Sequence, residues 1–274
     1  MLHDPKQLLD YADFCGVFPI GVTDEHRDVI VESLHAERVR REAMLSTQVV
    51  EDRHGRKRRQ QAQWNTAVHG PLIHHWWDEF HLQALAKAFL LSITQQQRLQ
   101  RAAGMGGTLI SQGGGLADFG DSVLRGLLNQ VRLRLYRMPD NLARLAGYTG
   151  TYMPSQLPRL AGMCLTISDG APPLPLRTAF VTRDIDADDS VYDQLYAPNG
   201  TPLLSAPTLP KETVAVWEKT GLMDLWRLGQ GPDGLDRLLS DVPGPEGLTP
   251  LPATVGDAPR LPAEDVILAI LHTS

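Results

Sequence analysis

Cysteine is nearly missing from this sequence: Cys15 and Cys164 are the only two in 274 residues. Two isolated thiols exclude a disulfide framework and a cysteine-based zinc site, and they suit a reducing cytoplasm. Long apolar runs are missing as well. No stretch approaches the roughly 20 residues that span a bilayer, and the first residues lack the basic and apolar regions of a signal peptide. Nor is there an excess of positive charge. With 26 Lys and Arg against 32 Asp and Glu the net charge is −6, which excludes a uniformly basic nucleic-acid binder but leaves room for a few basic loops. Two motifs are also lacking: the phosphate-cradling G-x-x-x-x-G-K-[ST] and an H-E-x-x-H helix for zinc.

What is present is the makings of a soluble α/β domain. Hydrophobic residues make up 42% of the chain, enough to bury a core. Up to about Asp184, short apolar runs alternate with longer amphipathic ones, the rhythm of a mostly parallel sheet flanked by helices. Strands are expected at Leu2 to Asp4, Phe18 to Val22, Leu72 to Trp77, Gly107 to Gln112, Val131 to Tyr136, Met163 to Ser168 and Leu176 to Thr182. A helix with an acidic first turn runs from Asp24 to about Leu45, with an apolar pair at Ile30 and Leu34. A second places Leu82, Leu85, Ala86, Phe89 and Ile93 on one face and ends near Gly104. From 185 to 274 the composition shifts, with eleven of the twenty prolines between Pro198 and Pro262. That segment reads as an irregular Pro/Gly-rich tail with two short helices, Glu212 to Leu228 and Glu264 to Leu271.

The chemistry centres on Asp78-Glu79, two carboxylates closing the apolar run Leu72-Ile73-His74-His75-Trp76-Trp77. At the carboxyl edge of a parallel sheet, where α/β ligand sites form, such a pair suits a divalent cation and water activation. Capping of the following helix is the simpler use of an acidic pair. His74, His75, Asp78, Glu79 and His81 are a dense set of possible ligands, but strand neighbours point to opposite faces, which argues for sheet histidines over zinc. Arg53-His54-Gly55-Arg56-Lys57-Arg58-Arg59 is the sharpest charge block, in an expected loop. It reads either as a DNA phosphate contact through Arg56, Lys57, Arg58 and Arg59 or as a solvated basic surface.

Taken in order, Asp4-Pro5-Lys6, the Glu/Arg-rich helix, the strand ending in Asp78-Glu79, Arg98-Leu99-Gln100-Arg101-Ala102-Ala103-Gly104 and Thr108-Leu109-Ile110-Ser111-Gln112 resemble the RecA-like motor domain of the FtsK/SpoIIIE DNA translocases. The resemblance covers about two-thirds of the chain. It implies a P-loop NTPase core without its P-loop strand and helix, spanning 1–184. By the resemblance Asp78 is a magnesium ligand, Glu79 orients or deprotonates the attacking water, and Gln112 is the sensor of the γ-phosphate. Arg98 or Arg101 is the arginine finger. It further implies ATP and Mg²⁺ as cofactors, double-stranded DNA as partner and a hexameric ring, in plasmid transfer or chromosome partition. The strand region departs from the family in being aromatic where aliphatic residues are usual, and Ser111 precedes Gln112 where threonine or alanine is usual. Without the phosphate loop the chain reads as truncated and inactive alone, with unpaired strand edges where a central strand is lacking. The other readings are a P-loop-less binding protein for motor subunits or DNA, and a piece of a conjugative coupling or secretion ATPase.

Overall fold

The computed structural model describes residues 1–6, 11–47, 49–51, 53–59, 63–83, 86–100, 102–111, 133–145, 147–160, 162–167, 172–177, 209–231, 233–240 and 267–271. In chain order the elements begin with β1 (Leu2–His3), β2 (Ile20–Gly21), α1 (Asp24–Ser46), β3 (Val49–Glu51), β4 (Lys57–Arg59), α2 (Thr66–His69) and β5 (Ile73–Trp77). Then come α3 (Phe80–Gln83), α4 (Lys87–Leu99), β6 (Met105–Ser111), β7 (Leu133–Tyr136), α5 (Asp140–Leu145), β8 (Met163–Ile167) and β9 (Leu174–Arg177). Helices α6 (Lys211–Thr220), α7 (Leu222–Leu228) and α8 (Gly234–Ser240) precede β10 (Ile267–Leu271).

An eight-stranded sheet in the order β2-β1-β5-β6-β10-β7-β8-β9 organises these elements. The α/β class is as the sequence implies, with helices flanking the sheet. Its first four strands are parallel to one another. The remaining pairings are antiparallel. The β8 to β9 link is too short for the crossover that parallel strands require, so these two form a hairpin.

Helix α1 starts where Thr23, in extended conformation, accepts the His26 amide on its hydroxyl at 3.2 Å. Its buried face runs through Ile30, Leu34, Glu37, Arg41 and Leu45 at helical spacing. In β5 the residues Ile73, His75 and Trp77 are buried while His74 and Trp76 are half-buried, the period-two pattern of a strand. Trp77 meets Phe89 of α4 edge-on at 4.9 Å. On the other face Trp76 stacks on Phe18 at 6.1 Å. Trp77, Phe80, Ile93 and Leu109 are among the fully buried side chains at the centre of the core.

Four sequence expectations change. The helix read from Leu82 onward is two pieces, α3 and α4, and Leu82 is exposed. Apolar spacing alone does not register where one helix ends and the next begins. The loop expected at 53–59 is largely a hairpin, with β4 paired antiparallel to β3. Arg58 and Arg59 fall in its ladder opposite Val50 and Val49. The tail segment read as a helix from Glu264 is a strand at Ile267–Leu271, because five consecutive apolar residues fit a central sheet position better than one helical stripe. That strand pairs along β6. Helices α6 and α7 are where one helix was expected, divided at Gly221, whose φ of 83° ends the first. Both pack against α1. Among the described residues no helix is long and apolar enough to cross a membrane.

Candidate functional site

The carboxyl ends of β1 and β5 lie side by side, because Leu2 pairs with Trp76 and His3 with Trp77 in parallel register. The residues that follow, Asp4 and Asp78, therefore leave the sheet together. The Asp78 amide still donates to His3 O at 3.0 Å, and that of Asp4 to Gly21 O at 2.9 Å. Pro5 has no N–H to continue the ladder. The chain turns there, with the Lys6 amide donating to Asp4 Oδ1 at 2.8 Å. This turn aims Lys6 back across the strand ends, where its Nζ forms a close ion pair with Glu79 Oε1.

Three carboxylates and one ammonium thus meet at one edge of the sheet. Asp4, Asp78 and Glu79 are all buried, at 0%, 4% and 3% exposure. Two contacts fix the Asp78-Glu79 turn: Gln83 Nε2 donates to Asp78 O at 2.6 Å and the Leu82 amide to Glu79 O at 2.9 Å. Glu79 has φ of 42°, and among the described residues it alone apart from glycines has a positive φ. A bulky residue there costs on the order of 1–3 kcal/mol. A turn selected only for capping would carry glycine or asparagine at such a position.

Burial pushes the Asp78 carboxyl up to about 6, with the charges of Asp4 and Glu79 adding to the rise. The Glu79 amide, which donates to the carboxylate, and the Lys6 ammonium oppose it. A carboxyl that titrates near neutrality can both give and take a proton. Replacing Lys6 by methionine removes one of the two influences holding Asp78 down. The Asp78 pKa is expected to rise above 6 in K6M, by roughly one unit, as read by NMR titration of a side-chain ¹³C-labelled carboxyl. An unchanged or lower value would show that Lys6 does not act on this carboxylate.

The histidines beside the pair are bound up in the sheet. Trp77 Nε1 donates to His75 Nδ1 at 2.7 Å, so the proton of His75 sits on Nε2 and is donated to Gln100 Oε1 at 3.0 Å. Burial drives the His75 pKa down to about 3. His74 Nε2 lies 2.8 Å from Thr108 Oγ1. His3 Nε2 donates to Thr23 O at 2.9 Å, and burial lowers its pKa to about 4. Among the described residues no group of three or more His, Cys, Asp or Glu converges as a metal cage.

Of the other residues singled out in the sequence, Gln112 and Arg101 lie outside the described residues, as does the side chain of Arg98 near the end of α4. Arg56 and Lys57 are exposed on the β3–β4 hairpin. The hairpin begins just beyond the carboxyl end of α1. That helix starts beside the acidic cluster, where Thr23 meets His3, and runs about 34 Å toward the amino ends of β5 and β6. The basic block is therefore at the opposite end of α1 from Asp78 and Glu79.

Sequence reading gave no site role to two groups that the structure brings into play. Asp4 and Lys6 belong to the acidic cluster, and their signal was a D-P-K following a strand. The second is the buried pair Glu37 and Arg41. Arg41 Nε donates to Glu37 Oε1 at 2.8 Å, and its other nitrogens donate to the carbonyls of Pro71, Ala103 and Gly104, each at 3.1 Å. Its guanidinium lies 3.9 Å from the Trp64 ring centre. Glu37 also accepts from Arg40 and from Thr213 of α6. Arg41 thereby grips the chain just before β5 and β6, the two strands that lead to the acidic edge and its neighbour.

Fold and site define an α/β protein with a buried acidic cluster at the carboxyl edge of parallel strands. No family model matches the sequence, and no curated protein matches it. Among solved structures, the cytoplasmic domain of the Thermomonospora curvata type VII secretion ATPase EccC is similar to 76% of the chain, at 18% identity and a TM-score of 0.41. The match spans 21% of that longer chain.

Proposed function

We propose that this chain carries the metal and water half of a nucleotide-motor site of the FtsK/SpoIIIE type, in an α/β unit whose sequence holds no phosphate loop. The observation that carries the reading is the pair Asp78-Glu79, buried beside Asp4 at the sheet's carboxyl edge, with Glu79 held in a strained left-handed conformation. The donor set fits Mg²⁺: hard carboxylate oxygens without a full cage suit an ion that keeps its waters and is completed by substrate phosphates. Asp78 would hold the ion, which when bound would offset phosphate charge. Glu79 orients water once its ion pair with Lys6 parts. Gln112 and Arg101 serve as sensor and finger by the order of the sequence motifs. Arg56, Lys57, Arg58 and Arg59 contact the phosphates of double-stranded DNA, and the working form is a ring of six.

Titrating the chain with Mn²⁺·ATP tests the nucleotide half. Binding is expected, with affinity at least tenfold weaker in D78N and unchanged when Arg56, Lys57, Arg58 and Arg59 become alanine. The same quadruple variant should lose DNA retention at low salt and flatten its salt dependence. ATP turnover by the chain alone stays well below about 1 s⁻¹. Equal Mn²⁺·ATP binding by D78N, or none by the intact chain, sinks the motor reading and favours a binding protein.

A further inference from the structure

Strand β5 alternates, so His74 and Trp76 leave it on the face opposite Trp77. Both rings are half-buried and lie 4.5 Å apart. With Phe18, stacked on Trp76 at 6.1 Å, they line a cavity of about 290 Å³. Helix α6 adds Thr213 and Trp217 to the same lining, four residues apart and so on one helical face. Trp226 meets the Trp217 ring edge-on at 6.1 Å and holds it in place. The volume falls at the low end of the roughly 300–1,000 Å³ of small-molecule sites, enough for one or two fused rings. Leu72, also in the lining, is 62% exposed, so the cavity opens to solvent. Asp78 and Glu79 lie elsewhere, past the carboxyl end of the strand.

The polar side chains of this cavity differ in how they are satisfied. Arg41 gives its N–H groups to Glu37 and to the carbonyls of Pro71, Ala103 and Gly104, and so offers no anchor to an anion. Thr213 gives its hydroxyl proton to Glu37 at 2.9 Å. Trp217 Nε1 is buried and has no hydrogen-bond partner among the described residues. Elsewhere the fold supplies acceptors to its indoles: Trp64 donates to Gly70 O at 2.9 Å, Trp77 to His75 Nδ1 at 2.7 Å and Trp226 to Gly16 O at 2.9 Å. A buried indole N–H ordinarily finds a partner. We propose that the cavity is a binding site for an uncharged planar aromatic molecule of one or two rings bearing a hydrogen-bond acceptor. The ligand's ring packs among Phe18, His74 and Trp76, and its acceptor takes the Trp217 N–H. Aromatic walls with a single donor select a flat, neutral ligand by shape and by that one hydrogen bond.

The test titrates the full chain at neutral pH with quinoline and with naphthalene, which share a shape but differ in that only quinoline carries an acceptor. Quinoline should bind at least tenfold more tightly and move the ¹⁵N-indole N–H resonance of Trp217 downfield. The indole resonances of Trp64, Trp77 and Trp226, whose protons already have acceptors, should shift far less. Trp217→Phe keeps an aromatic wall without the donor. It should bind naphthalene as before, which shows the cavity intact, while its preference for quinoline falls below about twofold. The indole shift in the unaltered chain decides the point even if the variant folds poorly. Absence of saturable binding by either probe overturns the site. Equal affinities of the intact chain for the two probes, an unmoved Trp217 resonance, or a tenfold preference surviving in W217F overturns the role of the indole and with it the ligand class.

Discussion

Replacing Arg41 by methionine is expected to cost about 3–5 kcal/mol of folding stability, the range for removing one partner of a buried ion pair. The change leaves Glu37, buried at 0% exposure, with Arg40 but without Arg41, and takes the guanidinium from the carbonyls of Pro71, Ala103 and Gly104, of which Gly104 O keeps the Ile73 amide. Burial pushes the Glu37 carboxyl up, but the hydrogen bonds from Arg40 and Arg41 outweigh it and hold the group below its ordinary value. The Arg41 hydrogen bond drops out of that balance in the variant. Lysine should not rescue the site, since one ammonium cannot reach a carboxylate and three carbonyls in the plane that the guanidinium fork serves. Urea unfolding of R41M, E37Q and the double variant measures the effect. The double variant should lose less than the sum of the singles, because it removes both charges. A loss under about 1 kcal/mol for R41M would show that water replaces the clamp.

Acid should unfold this protein through its buried histidines. His3 and His75 are neutral in the fold, with pKa values lowered by burial to about 4 and about 3 from 6.5. The unfolded chain takes up these protons as the pH falls below 6.5 and the folded one does not. Their stabilising contribution is therefore complete above pH 6.5 and is lost progressively down to the folded values. The buried amino group of Met1, lowered to about 5, adds to the acid-side loss. Asp78 acts in the opposite direction. Its folded pKa, raised from 3.8 to about 6, makes its contribution largest below 3.8 and removes it as the pH climbs through 6. At about 1.4 kcal/mol per unit the net loss from about pH 7 to about pH 4 is on the order of 5 kcal/mol. Urea midpoints across that range read it, and H75Q should flatten the profile. A midpoint that holds steady from pH 7 to 4 would contradict the buried neutral state of these rings.

The elements that were legible in the sequence are those whose signal is local. The acidic first turn after Thr23 marks α1, and the apolar run from Leu72 to Trp77 marks β5. The basic block was legible as charge but not as structure, because Lys57, Arg58 and Arg59 carry no apolar alternation to announce a strand. Glu37 and Arg41 were the reverse case. They fall in phase with Ile30, Leu34 and Leu45, so the buried stripe of α1 was visible in its spacing. Charged residues at core positions read as surface until the carbonyls of Pro71, Ala103 and Gly104 are seen to receive them.

By itself the sequence determined the α/β class, the central strand carrying Asp78-Glu79 and the place of that pair at a strand's end, because these depend on periodicity and on residues next to one another. Only the tertiary structure decided three further matters. Parallel register sets Asp4 and Lys6 against the pair, burial moves Asp78 toward neutrality, and β10 lies between β6 and β7. Each depends on which distant segments pack together, and so on hydrogen-bond register and solvent exclusion that no local window of residues contains.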